Sequence, residues 1–137
     1  MIYIGIDTGK NTGIAVWHTD THYLATVETM SITQAMDMIR MLADIRGKQN
    51  LRLFIEDARQ RTWFGSSGRE RLKGAGSVCR DAVIWEDWCK EHGLTFQMIA
   101  PKSNRTKLTP KQFETITGWH GRTSKHARDA AMLVFGR

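Results

Sequence analysis

Short apolar runs separated by polar and turn residues predict five strands along the chain. Residues 1–7 form a short apolar run that ends in a carboxylate, and apolar character resumes after a turn at residues 9–12. The predicted strands cover residues 1–7, 13–17, 23–27, 51–55 and 94–99. Because only short turns separate the first three, we expect them to form an antiparallel meander.

Helical spacing of apolar residues predicts four helices between and after these strands. Ser31 and Gln34 form a capping box, and the apolar period that follows stops at Gly47. The other predicted helices cover residues 77–92, a short segment opened by Thr109 and Pro110, and residues 124–135. A polar loop rich in glycine and arginine precedes the second helix over residues 58–76. The order β-β-β-α-β-α-β-α-α predicts an α/β fold with a central mixed five-stranded sheet flanked by helices.

The second predicted helix is apolar on more than one face. Its apolar residues are Val78, Ala82, Trp85 and Cys89 on one arc and Ile84 and Trp88 on another. A helix with this pattern is sandwiched between two packing partners. The outer face therefore packs either within the monomer or against a second subunit.

Length and composition restrict the class of protein. A chain of 137 residues that is 41% hydrophobic suits one compact domain, residues 1–137. Cys79 and Cys89 lie ten residues apart, without metal-ligand spacing or a disulfide framework, and are expected to be reduced, buried thiols. No apolar run approaches the ~20 residues of a membrane span. We therefore expect a soluble cytoplasmic protein.

Positive charge is concentrated in two segments, which favours a polyanionic partner. The net charge is +6 and the pI is about 9.7. The first segment holds Arg59, Arg61, Arg69, Arg71, Lys73 and Arg80, and the second holds Lys102, Arg105, Lys107, Lys111, Arg122, Lys125 and Arg128. Such clusters are either solvated faces or nucleic-acid contacts, and we favour the second.

Four dispersed residues are candidates for a metal centre. Asp7 and Glu56 each end an apolar strand, where a buried charge is costly without a partner. His126 and Asp129 are three apart on the last helix and so share a face. Carboxylates suit hard divalent ions, and two such ions stabilise both oxygens of a phosphodiester displacement. We expect Mg²⁺, with Mn²⁺ as a possible substitute; Asp57 competes with Glu56 for the role, because strand alternation alone does not choose between them.

Several motifs together resemble the RuvC family of Holliday junction resolvases. Residues 4–17, IGIDTGKNTGIAVW, resemble its first strand, turn and second strand, and residues 55–59, IEDAR, resemble its second catalytic strand. Residues 74–83 resemble the small-residue start of its long helix, and residues 100–102 with the following cations resemble its basic segment. Residues 125–131, KHARDAA, resemble its closing motif, although histidine stands where many bacterial members carry aspartate. The short chain is similar to compact members from phages and prophages.

This resemblance implies a function and a set of site residues. It implies a ribonuclease H-like fold and a homodimer that cuts four-way DNA junctions symmetrically, with the long helix contributing to the dimer. It also implies that Asp7, Glu56, His126 and Asp129 are catalytic and bind metal. The expected DNA contacts are Arg59, Arg61, Trp63, Phe64, Arg69, Lys73, Lys102, Arg105, Lys107 and Lys125. The aromatic pair is expected near the junction centre, with Trp63 the preferred contact, because aromatic faces stack on unpaired bases; Phe64 equally fits an anchor of the loop to the core.

Other functions fit parts of the pattern. A YqgF-type RNA nuclease begins similarly and has a suitable length, and a noncatalytic nucleic-acid-binding module would also be basic. An actin-like ATPase needs a duplicated domain that this chain is too short to supply. The triplet Asp7-Thr8-Gly9 is similar to that of retroviral-type aspartic proteases, but Lys10 follows where a small residue is expected. We retain the nuclease as the leading hypothesis, with the RNA nuclease and the binding module as alternatives.

Overall fold

The structure, a computed structural model, is an α/β fold built on one five-stranded sheet. It describes residues 1–60 and 69–137, with the backbone alone at 69–75 and 78. The strands are β1 (Ile2–Asp7), β2 (Thr12–His18), β3 (Tyr23–Met30), β4 (Leu51–Glu56) and β5 (Phe96–Ile99). The helices are α1 (Ile32–Arg46), α2 (Arg69–Glu91), α3 (Pro110–Thr117) and α4 (Lys125–Met132). In the described residues no helix is both long and apolar enough to cross a membrane.

The strand order places β1 and β4 side by side at the centre of the sheet. The order is β3-β2-β1-β4-β5, in which β1, β2 and β3 are antiparallel while β4 is parallel to both β1 and β5. This is the predicted mixed sheet, with the meander at one edge. Because parallel strands end at the same edge, the carboxyl ends of β1 and β4 are neighbours.

Strand alternation divides the apolar residues between two cores, one on each face of the sheet. Ile4, Ile6 and Ile55 face α1 and α2, where they pack with Ile39 and Trp85. On the opposite face lie Ala15, Trp17, Phe54, Phe113, Ala130 and Val134, packed with α3 and α4. The sheet is therefore buried between two layers of helices, as its near-continuous apolar strands require.

Two glycines let α4 lie directly against the sheet. A methyl group at Gly5 would collide with the carbonyl group of Ala130, and one at Gly13 would collide with the carbonyl oxygen of His126. Gly5 lies on β1, and Gly13 lies near the start of the adjacent strand β2. Both contact the backbone of α4 and so lie under the helix. The absence of side chains there sets how closely α4 approaches the end of β1.

Helix α2 begins earlier than the sequence pattern predicts. The prediction of a loop over residues 58–76 is wrong for residues 69–76, because α2 starts at Arg69. Its first turns carry strong helix formers that compensate for the glycines. The face with Ala82, Trp85 and Cys89 is fully buried, as predicted, while Ile84 is 40% exposed. The prediction that Cys79 is also buried is wrong, because its side chain is partly exposed on the helix. Trp88, on the other predicted arc, packs edge-on against Trp85 within the same core.

Candidate active site

Strand register brings Asp7 and Glu56 to adjacent positions at the centre of the sheet. Ile6 pairs with Ile55 across the parallel ladder, so the next residues on the two strands lie side by side. Both carboxylates face the layer of α4, on the side of the sheet opposite the buried isoleucines. Asp57, one residue further, points to the other face and is held by Arg59. The register therefore selects Glu56 over Asp57 for this cleft.

Helix α4 carries the other two candidate ligands to the same place. Its N-cap is Ser124, whose hydroxyl accepts from the backbone N–H of Ala127 and also contacts the hydroxyl of Thr29 on β3. The start of α4 is thereby fixed to the edge of the meander. With this start, His126 and Asp129 both emerge toward the end of β1.

A direct hydrogen bond joins helix and strand at the cleft. His126 Nδ1 lies 2.9 Å from Asp7 Oδ2. The Asp7 side chain is mostly buried, whereas the imidazole is 44% exposed. The bond orients the ring, so that Nε2 lies on the opposite edge of the imidazole.

The carboxylate of Asp129 lies in an environment that opposes its ionisation. Burial raises the pKa of Asp129, and the negative charge of Glu56 raises it further. The backbone N–H of Lys107, which donates to Asp129 Oδ1 at 3.2 Å, lowers the pKa but does not cancel the increase. Closely placed carboxylates of this kind are stabilised by a cation between them.

The segment before α3 wraps around Asp129 in a constrained conformation. Asn104 Nδ2 donates to the carbonyl oxygen of Asp129 at 3.0 Å. Lys107 has a φ of 63°, a left-handed backbone that residues other than glycine seldom adopt. The guanidinium of Arg128 on α4 donates to the carbonyl oxygens of Leu108 and Thr123, each at 2.8 Å. It thereby links the segment before α3 to the residues just before α4. Strain of this type persists only where surrounding contacts enforce it.

These side chains share one open cleft of about 460 Å³. It is lined by Asp7, Thr8, Glu56, Ala58, Pro101, Thr106, Lys107, Lys125, His126 and Asp129. Three carboxylates and an imidazole are the donor set that Mg²⁺ and Mn²⁺ accept, so the residues present fit such ions. In the part of the chain that the structure describes, no three acidic, histidine or cysteine groups are already close enough to enclose one ion.

The predicted DNA contacts fall into three groups. Lys107 and Lys125 line the cleft, and Lys102 and Arg105 are exposed on the segment beside it. The guanidinium of Arg59 is instead bonded to Asp57 and Glu86. The remaining side chains, namely Arg61, Trp63, Phe64, Arg69 and Lys73, lie outside the described residues or side chains.

Some residues that line or support the cleft were not predicted from the sequence as site residues. Thr8 lines the cleft, and its hydroxyl donates to the carbonyl oxygen of Glu56 at 3.3 Å, which links the ends of β1 and β4. Asn104 supports Asp129, as described above. Arg128 was grouped with the surface cations, but it is only 9% exposed and bonds backbone carbonyls. The position of Thr8 next to Asp7 was the one available signal; the other two roles depend on tertiary contacts.

The mixed five-stranded sheet carries the acids Asp7 and Glu56 at the adjacent ends of β1 and β4. Among solved structures, T. thermophilus RuvC in complex with a Holliday junction substrate matches with a TM-score of 0.60 and 16% identity. The match covers 97% of this chain and 90% of that chain. Neither known family models nor curated protein sequences match the chain. The structural likeness confirms the predicted RuvC-like, ribonuclease H-like fold.

Proposed function

We propose that this chain is a structure-selective DNA endonuclease that resolves four-way (Holliday) or branched DNA junctions by phosphodiester hydrolysis with two divalent metal ions. The observation that carries the proposal is the convergence of Asp7, Glu56, His126 and Asp129 in one cleft bordered by lysines. The substrate class is supported by the structural neighbour, which was solved with a Holliday junction substrate. The preferred ion in this proposal is Mg²⁺, with Mn²⁺ as a substitute.

The ionisable residues of the cleft have distinct parts in the proposed reaction. Asp7, Glu56 and Asp129 would hold the ions, which supply charge stabilisation to the attacking and leaving oxygens. His126, oriented by its bond to Asp7, would complete one metal shell or orient the attacking water. Lys107 and Lys125 place positive charge beside the carboxylates and so attract the phosphate backbone.

The experiment that tests this function is a cleavage assay on matched substrates. Four-way, three-way, flap and linear DNA and a four-way RNA are offered at equal concentration, with Mg²⁺, Mn²⁺ or chelator. We expect cleavage confined to branched DNA and dependent on the ion. Cleavage of RNA alone would favour the RNA-nuclease alternative, and binding of branched DNA without cleavage would favour a noncatalytic module.

Substitution of the acids separates cleavage from binding. Asp7→Asn, Glu56→Gln and Asp129→Asn are each expected to abolish cleavage while leaving junction binding largely intact, since the cations remain. Asp37→Asn on the exposed face of α1 is the matched control, with activity unchanged. Parental cleavage by all three variants in Mg²⁺ would refute the assigned roles.

The proposed enzyme acts as a homodimer through helix α2. Val83 and Ile84 are each 40% exposed on this helix, which is consistent with a second packing partner. Sedimentation of the wild-type protein should show a dimer, and Ile84→Lys should shift it toward monomer. A monomer at every concentration would contradict the interface.

The proposed junction contact by Trp63 lies outside the described residues. Trp63→Ala is expected to reduce junction cleavage more than binding to linear duplex, because stacking on an unpaired base contributes about 1–3 kcal/mol. Equal losses in both assays would remove the stacking proposal.

A further inference from the structure

The chain just after Glu56 is tied to helix α2 by a network of ion pairs. Arg59 forms a two-point (bidentate) ion pair with Asp57, in which Nε donates to Oδ1 at 2.8 Å and Nη2 donates to Oδ2 at 3.0 Å. Its Nη2 also donates to Glu86 Oε2 on α2 at 2.5 Å. Lys90, one turn further along α2, donates to Glu86 Oε1 at 3.1 Å. We call Asp57, Arg59 and Glu86 the clamp.

The clamp lies on the face of the sheet opposite the catalytic cleft. Because successive strand residues point to opposite faces, Glu56 faces α4 while Asp57 faces α2. Asp57 is only 4% exposed, and its carboxylate also accepts from the backbone N–H of Arg59 at 3.0 Å and from Gln60 Nε2 at 3.2 Å. The clamp therefore fixes the peptide that immediately follows the candidate ligand.

The charges of the clamp and of the neighbouring Lys90 compensate one another. Burial by itself raises the pKa of Asp57, but the hydrogen bonds from Arg59 and Gln60 outweigh it and the pKa is lowered. Hydrogen bonds from Arg59 and Lys90 likewise lower the pKa of Glu86. The clamp itself holds one cation and two carboxylates, and Lys90 supplies the second cation that makes the group neutral. Arg59 therefore offers little net attraction to a phosphate. A two-point fork on a buried carboxylate is a structural use of arginine.

Backbone contacts connect the clamp to the position of Glu56. The N–H of Asp57 donates to the carbonyl oxygen of Ile99 on β5 at 2.8 Å, and the carbonyl of Glu56 accepts from Thr8 on β1. These bonds hold the end of β4 laterally within the sheet, whereas the clamp holds it against α2. Loss of the clamp would leave this end of the strand free to fray, and the Glu56 side chain would move with it.

We propose that Arg59 is a positioning residue that, through Asp57 and Glu86, holds the end of strand β4 and thereby aligns Glu56 with the other acids of the cleft. The inference rests on the proposed function for its activity readout. It gives Arg59 a role other than the direct DNA contact predicted from the sequence.

The test compares the rate of cleavage by the bound complex with the affinity for DNA. Arg59→Met should lower the single-turnover rate at saturating enzyme about 10-fold or more, because small misplacements of a catalytic group are costly. Its junction Kd and the salt dependence of that Kd should stay at wild-type values. Arg59→Lys, which keeps the charge but cannot form the fork, should restore little of the rate.

Three further variants serve as controls. Lys102→Met, at an exposed cation beside the cleft, should weaken binding and reduce the salt slope by about 1, the signature of a lost phosphate contact. Arg40→Met, on exposed α1, should change neither rate nor binding. Glu86→Gln removes the charge of Glu86 but retains a hydrogen-bond acceptor for Arg59. It tests the same contact if the Arg59→Met variant fails to fold. The rate losses of Arg59→Met and Glu86→Gln should be non-additive in the double variant, as expected for two parts of one contact.

Hydrogen exchange tests the clamp independently of activity. The amide of Asp57 should exchange faster in Arg59→Met, because the end of β4 opens more often, while amides at the start of β4 should not change. If the wild-type protein cuts no branched DNA, the proposed function fails while this measurement still decides the clamp. Weakened binding with a reduced salt slope and an unchanged single-turnover rate would overturn the proposal in favour of a phosphate contact. Unchanged exchange and rate would also overturn it.

Discussion

Replacement of Gly13 by alanine is expected to slow cleavage about 100-fold by displacing helix α4. Gly13 has no unusual backbone conformation, so the penalty is steric rather than torsional. The new methyl group would occupy the space of the His126 carbonyl oxygen and lie 3.0 Å from the backbone nitrogen of Ala127. The added carbon would lie 1.9 Å from that oxygen. Since carbon–oxygen contacts need roughly 3.3 Å, the helix must retreat by about 1.4 Å.

That retreat determines the size of both expected effects. A displacement of about 1 Å at a catalytic group can reduce the rate about 100-fold. Overpacking of a core contact typically lowers the free energy of unfolding by about 1–3 kcal/mol. His126 and Asp129 move with α4, whereas Asp7 and Glu56 stay on the sheet. The variant should therefore remain folded but lose the alignment between helix and strands.

The assay combines single-turnover junction cleavage with urea unfolding. Junction binding should change little, because the surface cations are retained. Gly76→Ala on α2 is the matched control: a methyl group there would meet no atom of the described residues within 4 Å, and alanine favours a helix by about 1 kcal/mol relative to glycine. The reasoning would be refuted by a Gly13→Ala variant that cuts within about twofold of the wild-type rate and unfolds at the same urea concentration. Such a result would mean that the methyl group does not displace α4 enough to misplace a catalytic group.

Three further predictions follow from buried polar groups. In metal-free buffer Asp129→Asn should raise the melting temperature at neutral pH. Burial and Glu56 raise the pKa of Asp129, so ionisation of this carboxyl group above its pKa disfavours the folded state, and the gain should shrink as the pH falls into the acid range. An unchanged or lower melting temperature of the variant at neutral pH would contradict this. Burial raises the pKa of Cys89 to about 12, so a thiol reagent at pH 8 should modify the partly exposed Cys79 well before Cys89. Unfolding in urea should make the two modification rates equal. Equal rates in buffer without urea would contradict the burial of Cys89. Arg128→Met should lower the free energy of unfolding by about 2 kcal/mol, because it removes the donor to two partly buried carbonyl oxygens. The salt dependence of DNA binding should not change, and a reduced salt slope would assign Arg128 to the DNA surface instead.

Local pattern was sufficient to predict most of the secondary structure. The short apolar runs of β1 and β4, the capping box at Ser31 and the sequence Thr109-Pro110 are short-range signals, and each corresponds to an element in the structure. The start of α2 was predicted eight residues late, because glycines within residues 69–76 resemble a loop when only neighbouring residues are considered. Helix formation there is supported by the rest of a 23-residue helix.

The sequence by itself determined which acids end the strands and which residues of the last helix share a face. It did not determine that Glu56 rather than Asp57 faces Asp7, since that choice depends on the register between β1 and β4. Nor did it determine the uses of the arginines, because Arg59 and Arg128 differ from the surface cations only in the partners that the fold brings to them. Charge and periodicity are properties of neighbouring residues, whereas register, helix approach and ion-pair partners arise only when distant segments pack together.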